Sequence, residues 1–332
     1  HSGEDAISAY FQSTDARPFL QNLTDAQKAD LQNFEGNAAG FRILTHTYPA
    51  QCDQAGGLRL TYTTLATFTK YPKEVLPVKK GTPHTSEKKY GFFQSEKERY
   101  QTIAQELGLM KKGNAAEVFY HRHPLAFLVE AADDICYRIV DFEDGCKLGL
   151  IPFKEAEKLL KAILNDAPDR KSNITFFDWR EQIGYLRARI IGKLIQETAE
   201  LFIQKEPEML AGTYDKPLIS EVSCKAELDE IKTLSVEYIY KNRPVLEIES
   251  AGYEVLGGLL DVFLNAVFAP QTNRHRKLID LIPTQYLGPQ RQVPATDYEK
   301  IMNVTDFIAG MTDQMAISLY RKIKGISLPQ GY

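Results

Sequence analysis

The sequence has few cysteines and no long apolar run. None of its four cysteines (Cys52, Cys136, Cys146 and Cys224) belongs to a CxxC pair. Because Cys136 and Cys146 lie within an apolar helical pattern, we expect free, buried thiols in a reducing cytoplasm. No apolar run approaches the ~20 residues of a membrane span, and no signal peptide is visible, so we expect no membrane partner.

Charge of one sign is not in large excess either. The 332 residues carry 40 basic and 44 acidic side chains, which gives a net charge of −4. This balance provides no overall attraction to nucleic acid or to a membrane, so any phosphate binding has to come from local clusters. With 43% apolar and 25% charged residues, the composition is typical of a globular protein with one large domain or two smaller ones.

Strand alternation, internal repeats and low-complexity tracts are also missing, and the remaining signal is helical periodicity. Helices are predicted over 4–14, 24–34, 36–46, 56–72, 95–109, 125–146, 153–166, 179–204, 223–240, 245–267 and 298–325. Thr24 is predicted to be an N-cap, and Ser95 is predicted to form a capping box with Glu98. The predicted class is therefore all-α, with at most a short hairpin.

Two polar segments interrupt the helical pattern. Residues 73–90 contain basic residues and two prolines and are predicted to form a loop. The stretch NDAPDRKSN at 165–173 is the predicted boundary between two parts of the chain. These parts are an N-terminal half, residues 1–165, and a helical C-terminal region, residues 166–332.

The stretch EAADDICYRIVDFED at 130–144 is unusual because it places many acidic residues in an apolar helix. On a helical wheel at ~100° per residue, five of these acids share an arc of about 100° with Tyr137, and the rest of the wheel is mostly apolar. We call this arc the acidic stripe. Its acids are Glu130, Asp133, Asp134, Asp141 and Asp144.

Two interpretations of the acidic stripe are open from the residues alone. A solvated face of an amphipathic helix is the commoner origin of a charged stripe. Against that interpretation, like charges at i,i+3 and i,i+4 repel each other, and aspartate is a poor helix former. A cation or polar ligand opposite the stripe would offset both effects.

The segment RHPLAFLVEAADDICYRIVDFEDG, residues 122–145, resembles the deoxyguanosine triphosphate triphosphohydrolase family, a branch of the HD-domain phosphohydrolases. Other stretches that resemble it are HSGE (1–4), EGNAAGFRILT (35–45), GGLRLTYTTLATFTKYP (56–72), VLEIESAGYEVLGGLL (245–260) and FIAGMTDQMAISLY (307–320). The resemblance implies an HD-domain-like helical core with a helical C-terminal extension. It also implies cleavage of a deoxynucleoside triphosphate, foremost dGTP, into deoxynucleoside and intact triphosphate.

The resemblance also implies roles for individual residues. In that family a His, a His-Asp doublet and a later Asp hold a divalent metal, Mg²⁺ or Mn²⁺, and the later Asp matches Asp133. Tyr137 and Asp141 match positions that face the sugar, where a Tyr edge excludes a 2′-hydroxyl. His1 and Glu4 match an acid/base pair near the α-phosphate.

Further matches concern the phosphates and the nucleoside. Lys70 and Tyr71 in KYP, and Lys89 in KKYG, match phosphate-binding positions that supply cations and donors. For Lys89 a solvated basic loop is an equal alternative. Asn37 and Glu249 match positions that contact the nucleoside, and Glu249 is expected to act across a subunit interface.

The chain departs from the family pattern in its histidines. Neither the early His nor the His-Asp doublet occurs in these 332 residues, and the only close pair is His121 with His123. We expect these ligands to lie in residues upstream of His1, and we expect little metal-dependent hydrolysis by the polypeptide without them. The alternatives are a dNTP- or single-stranded-DNA-sensing regulatory subunit without catalysis, and an HD nucleotidase or cyclic-nucleotide phosphodiesterase.

The expected partners follow from the same resemblance and from one apolar segment. They are a dGTP or dNTP substrate and a single-stranded DNA effector. Residues 252–268 (GYEVLGGLLDVFLNAVF) are very apolar for a free surface, so a homo-oligomer is expected, with a hexamer as one arrangement. The expected location is cytoplasmic.

Overall fold

The computed structural model describes residues 2–47, 57–75, 85–113, 117–164, 176–269, 272–288 and 290–327, and fifteen α-helices lie in these ranges. The first eight are α1 (Ser2–Gln12), α2 (Arg17–Leu20), α3 (Asp25–Gln32), α4 (Gly36–Thr45), α5 (Tyr62–Phe68), α6 (Lys97–Glu106), α7 (Ala126–Lys147) and α8 (Phe153–Ile163). The others are α9 (Trp179–Leu210), α10 (Lys225–Leu234), α11 (Arg243–Phe268), α12 (Asn273–Leu281), α13 (Thr284–Leu287), α14 (Asp297–Ala309) and α15 (Asp313–Ile323).

The predicted all-α class is confirmed. Extended pairing in the described ranges is limited to two isolated antiparallel bridges, Lys73 with Phe119 and Lys111 with Tyr120. A π-helix over Ser235–Tyr240 continues directly from α10. A π-turn is wider than an α-turn and is frequent at functional sites, and this one lines the cavity described below.

One predicted helix start is confirmed and the other is wrong. Thr24 caps α3 by accepting from the backbone N of Gln27, whose side chain returns to the backbone N of Thr24. The predicted capping box of Ser95 and Glu98 does not form, because α6 begins at Lys97 after a 3₁₀ turn and has no side-chain cap.

Two predicted helices have wrong bounds. The helix predicted over 56–72 is confined to Tyr62–Phe68, where Thr61 is the N-cap. The helix predicted over 298–325 is two helices, because α14 ends before Gly310 and Thr312 caps a new helix by accepting from the backbone N of Met315. The cap residue that begins a new helix is a local sequence signal. The continuous apolar periodicity of this stretch had favoured a single helix instead.

Three packing units position the cavity. In the first, α1, α11 and α14 bury residues from both ends of the chain, including Phe11, Phe263 and Ile308. In the second, the C-terminal half of α7 packs with α8, α9 and α10. In the third, α4, α5 and α6 enclose a stacked aromatic pair, Phe92 with Tyr100. Burial of apolar area drives each of these contacts.

Helix α11 is long and apolar enough to cross a membrane by length and composition alone, although no continuous apolar run predicted this. A core helix passes the same test, and the C-terminal half of α11 is a core element here. Leu259, Leu260, Phe263 and Leu264 are all fully buried against α1 and α14. The apolar character of this half of α11 is therefore that of a core helix.

Two further predictions concern the cysteines and the domain boundary. Cys146 is free and buried as expected, and Cys224 is free and buried as well, but the expected burial of Cys136 is wrong, because its free thiol is exposed. Cys52 lies outside the described residues. The predicted boundary at 165–173 also lies outside them, so the division into residues 1–165 and 166–332 stays a prediction.

Candidate functional site

A cavity of about 740 Å³ opens beside α7, between the ends of α1 and α4, the segment after α5, and the π-helix. We call it the α7 cavity. Seven of the residues predicted for the site line it: Glu4, Asn37, Lys70, Tyr71, Lys89, Asp133 and Tyr137. These residues come from five separate stretches of the chain, and the fold brings them together around one cavity.

The acidic stripe divides into an exposed part and a buried part. Asp133 and Tyr137 face the α7 cavity, with 64% of the Asp133 side chain and 49% of Tyr137 exposed. Glu130, one turn earlier, is buried in a two-point ion pair with Arg122, at 2.7 and 3.1 Å. The stripe is therefore neither a uniform solvated face nor a uniform ligand wall.

Lys70 and Asp133 form an ion pair across the cavity mouth. Lys70 Nζ donates to Asp133 Oδ2 at 2.7 Å. Lys70 follows the end of α5, which packs on α7, and this packing brings the two residues together. A lysine ammonium thus occupies the position at this carboxylate where a cation would bind.

Lys89 lies at the centre of a second charged group. Its Nζ donates to Glu35 Oε1 at 3.0 Å and lies 3.6 Å from Glu4 Oε2. Burial lowers the pKa of Lys89, but the hydrogen bond and charge of Glu35 outweigh burial and raise it above its usual value. Lys89 is therefore a fully charged, half-buried ammonium in the cavity wall.

The backbone at Gly36 holds Glu4 in place. Gly36 N donates to Glu4 Oε1 at 3.1 Å, and Asn37 Nδ2 donates to Glu35 Oε1 at 2.7 Å. A Cβ atom at Gly36 would lie 2.4 Å from Glu4 Oε1, so a larger residue at this position would force the Glu4 carboxylate to move. Glu35, only 6% exposed, is a site residue that sequence reasoning missed although it begins the quoted EGNAAG stretch.

Tyr71 forms the inner wall, in contact with a buried arginine. The guanidinium of Arg122 lies 5.8 Å from the centre of the Tyr71 ring, which is within cation–π range. Burial and then the nearby Glu130 raise the pKa of Tyr71, so its hydroxyl stays protonated and can donate a hydrogen bond to an anion.

The π-helix supplies a second tyrosine that sequence reasoning missed. Tyr240 lies beside Tyr137 with ring centres 5.8 Å apart, and its hydroxyl donates to Asp141 Oδ2 at 2.6 Å. Burial, followed by this hydrogen bond, raises the pKa of Tyr240. Asp141 itself does not line the cavity. Its connection to the cavity is the hydrogen bond from Tyr240, which does line it. No sequence signal could predict this contact, because it spans 99 residues.

Two predicted site residues cannot be placed in the cavity. His1 lies outside the described residues. Glu249 lies on the half-buried face of α11 and is not among the residues that line the α7 cavity. Its expected role was across a subunit interface, so both assignments stay predictions.

The described residues do not by themselves fit a divalent metal. Among them, no group of three or more His, Cys, Asp or Glu side chains comes together in a way that could hold a metal ion. Asp133 is paired with Lys70, and burial followed by Glu130 raises the pKa of Asp134. Since divalent metal sites need several ligands, these residues alone would hold such an ion weakly.

The described residues form a helical fold around this polar, tyrosine-lined cavity, and comparison with known proteins assigns the class. A family model described as a phosphohydrolase-associated domain matches residues 219–322, from the turn before α10 through α15. This stretch includes the π-helix that forms one side of the cavity.

Relatives identify the family more closely. A deoxyguanosinetriphosphate triphosphohydrolase-like protein of Synechocystis is 42% identical, across 99% of this chain and 74% of its own length. A protein of the same description from Pseudomonas aeruginosa is 35% identical with the same coverage. A deoxyguanosinetriphosphate triphosphohydrolase of Yersinia pestis is 26% identical, across 92% of this chain and 66% of its own length. The chain belongs to the deoxyguanosinetriphosphate triphosphohydrolase family, and the resemblance seen in the sequence is confirmed.

Proposed function

We propose that this protein is a dNTP triphosphohydrolase that converts dGTP and water to deoxyguanosine and inorganic triphosphate. One observation carries the proposal beyond family membership. Two lysine ammonium groups, Lys70 and Lys89, and the Tyr71 side chain line the same cavity as the acid and tyrosine of α7. This arrangement suits a ligand with an anionic end and a neutral, hydroxylated end.

The phosphate end of the ligand would lie against Lys70, Lys89 and Tyr71. Charge-assisted hydrogen bonds from ammonium groups to phosphate oxygens are about twice as strong as neutral ones. Fixed cations in a partly enclosed site also stabilise the charge that collects on a departing triphosphate. Lys70 would exchange Asp133 for phosphate oxygens when the nucleotide binds.

The sugar end would lie against Tyr137, with Asp141 held in position by Tyr240. Because Asp141 does not line the cavity and its Oδ2 accepts from the Tyr240 hydroxyl, Asp141 would act on a sugar hydroxyl through Tyr240. The Tyr137 edge would leave no room for a 2′-hydroxyl, which favours deoxynucleotides over ribonucleotides. Asn37, beside Glu35, would donate to the nucleoside.

Proton transfer would involve the start of α1. Glu4 is held by the backbone N of Gly36 and lies 3.6 Å from Lys89. His1, three residues earlier, would serve as general acid or base near the α-phosphate, with Glu4 setting its orientation.

Several finer parts of the proposal come from the family. Divalent metal dependence, with Mg²⁺ or Mn²⁺, belongs to it, and Asp133 is the described residue that would contribute a ligand. A homo-oligomer in which Glu249 reaches a neighbouring site, a single-stranded DNA effector and a cytoplasmic location are also part of it.

The identity of the product tests the proposal. The chain would be incubated in excess over dGTP with Mn²⁺ or Mg²⁺, and phosphorus NMR would distinguish triphosphate from pyrophosphate and phosphate. Triphosphate as the only phosphorus product, even if formed slowly, supports the proposal. Phosphate or a linear nucleotide would instead indicate an HD nucleotidase or phosphodiesterase. Calorimetric binding of dGTP with no product at all would indicate a nucleotide sensor.

A further inference from the structure

A second cavity of about 320 Å³ lies on another part of the molecule, between α1, α11 and α15. We call it the α11 cavity. Its lining shares no residue with the α7 cavity, and the proposed reaction makes no use of it. Its walls combine three carboxylates, one lysine ammonium (Lys324), tyrosines and glycines, so its charged side chains sum to a net negative charge.

The carboxylates of the α11 cavity form no ion pair within the described part of the chain. Asp15, Glu254 and Asp261 line the cavity, and none of them is joined to a described lysine, arginine or histidine. Asp261 Oδ1 accepts from the neighbouring amide of Asn265, at 3.0 Å. Acids without ion pairs in one concave site produce a local negative potential, which attracts a cation.

Two buried hydroxyls beside these acids are also without partners. Tyr10 Oη and Ser13 Oγ are buried and have no hydrogen-bond partner among the described residues, and Tyr10 is 8% exposed. Tyr10 lines the same cavity as Asp15 and Asp261, and burial followed by these two charges raises the pKa of Tyr10. An unsatisfied buried hydroxyl destabilises the fold, and a ligand with hydrogen-bond donors would satisfy it.

The tyrosines provide surfaces for a cation. Tyr10, Tyr253 and Tyr320 line the cavity, and the chain's own Lys324 ammonium lies 5.6 Å from the centre of the Tyr320 ring. A Cβ atom at Gly258 would lie 2.5 Å from Tyr320 Cε2, so glycine is required for this ring to pack against the α11 backbone. The ring is therefore held in place where it can take part in cation–π contact.

The acids of this cavity do not form a site for a single metal ion. Among the described residues, no three acidic or other ligating side chains converge in a way that could hold one. Carboxylates and tyrosine rings that line one cavity match an organic cation, in which ammonium groups meet the acids and the methylene chain packs on the rings. We propose that the α11 cavity binds an alkylammonium ligand of the diamine or polyamine class.

Calorimetric titration of the full chain with spermidine, at constant ionic strength, tests this proposal. We expect saturable binding of spermidine that neither NaCl nor MgCl₂ reproduces at equal ionic strength. Asp261→Asn keeps the shape of the side chain and should weaken spermidine binding roughly threefold to tenfold. The matched control is Glu230→Gln, an exposed acid on α10 outside the cavity, which should leave the affinity unchanged.

Tyr10→Phe separates a ligand role from a packing role. The substitution removes an unsatisfied hydroxyl, so stability without ligand should be unchanged or higher, whereas spermidine affinity should fall. Equal spermidine binding by the parent, Asp261→Asn and Tyr10→Phe proteins would overturn the proposal, and so would no binding to the parent. Self-association that Asp261→Asn abolishes, seen by light scattering without spermidine binding, would also overturn it.

Discussion

Lys70 Nζ and Asp133 Oδ2 lie 2.7 Å apart at the mouth of the α7 cavity, which joins the phosphate-binding candidate and the metal-ligand candidate in one ion pair. This contact has two consequences. Lys70 keeps the exposed carboxylate neutralised when no ligand is bound. An incoming polyphosphate can also replace Asp133 as the partner of the Lys70 ammonium.

The first prediction is that Lys70→Met weakens dGTP binding about tenfold, since one charge-assisted hydrogen bond to phosphate is lost. Calorimetry with dGTP and with tripolyphosphate measures it, and both affinities should fall together. Lys161→Met, a lysine paired with Glu157 on α8, is the control. Unchanged affinity for tripolyphosphate would remove Lys70 from the phosphate site.

The second prediction concerns Tyr240→Phe, which deletes the hydroxyl that holds Asp141. We expect weaker dGTP binding and a smaller preference for dGTP over GTP, because Asp141 loses the hydrogen bond that orients it. Tyr238→Phe is a matched control on the same π-helix, since Tyr238 is exposed and does not line the cavity. Competition between dGTP and GTP measures the preference, and equal preferences in both variants would contradict the role.

The third prediction separates the two parts of the acidic stripe. Glu130→Gln removes the closer of two anionic partners of the buried Arg122, the other being Asp215 at 4.0 Å, and should lower the free energy of unfolding by about 3 kcal/mol. Asp144→Asn, at an exposed position of the same helix, should change it by about 0.5 kcal/mol or less. Urea unfolding compares the two, and similar small effects would mean that the stripe is a solvated face throughout.

The fourth prediction follows from Asp30, whose carboxylate accepts from Tyr298 Oη and the backbone N of Gln94. Burial raises the pKa of Asp30 from 3.8 to about 7, and the nearby Glu96 and Glu74 add to the rise. The folded state therefore binds this proton more tightly than the unfolded state. Stability should fall as pH rises from about 4 to about 7, by up to about 1.4 kcal/mol per pH unit from this group.

Asp30→Asn tests that assignment because an amide does not titrate. Urea unfolding at several pH values should show a flatter pH dependence, and the variant should gain stability relative to the parent as pH rises. Glu96 and Asp306 also have raised pKa values because of burial, so part of the slope will remain. Parallel pH curves for parent and variant would exclude Asp30.

The fifth prediction is that this 332-residue polypeptide shows little triphosphate release from dGTP with either Mn²⁺ or Mg²⁺. Its physical basis is that Asp133 is the only predicted metal ligand among the described residues, and one carboxylate holds a divalent ion weakly. A steady-state assay at substrate excess measures it. Rapid turnover would contradict the prediction and leave the proposed reaction intact.

Periodicity and local signals predicted much of this protein from the sequence. The positions of the long helices, the cap at Thr24 and the shared arc of Asp133 and Tyr137 all depend on residues within a few turns of each other. The family resemblance identified seven of the residues that line the α7 cavity. The predicted helix bounds were wrong where a local cap or turn interrupted the apolar pattern, as at Thr61 and Thr312.

The sequence by itself determined the helical class and the family, and it placed the acids of the stripe on one arc of a helix. Only the tertiary structure decided that Glu130 turns inward to Arg122, that Glu35 holds Lys89, and that Tyr240 positions Asp141. The physical reason is the separation along the chain between the residues involved. Helical periodicity sets the direction of a side chain within one element, whereas these pairings depend on how helices far apart in the chain pack together.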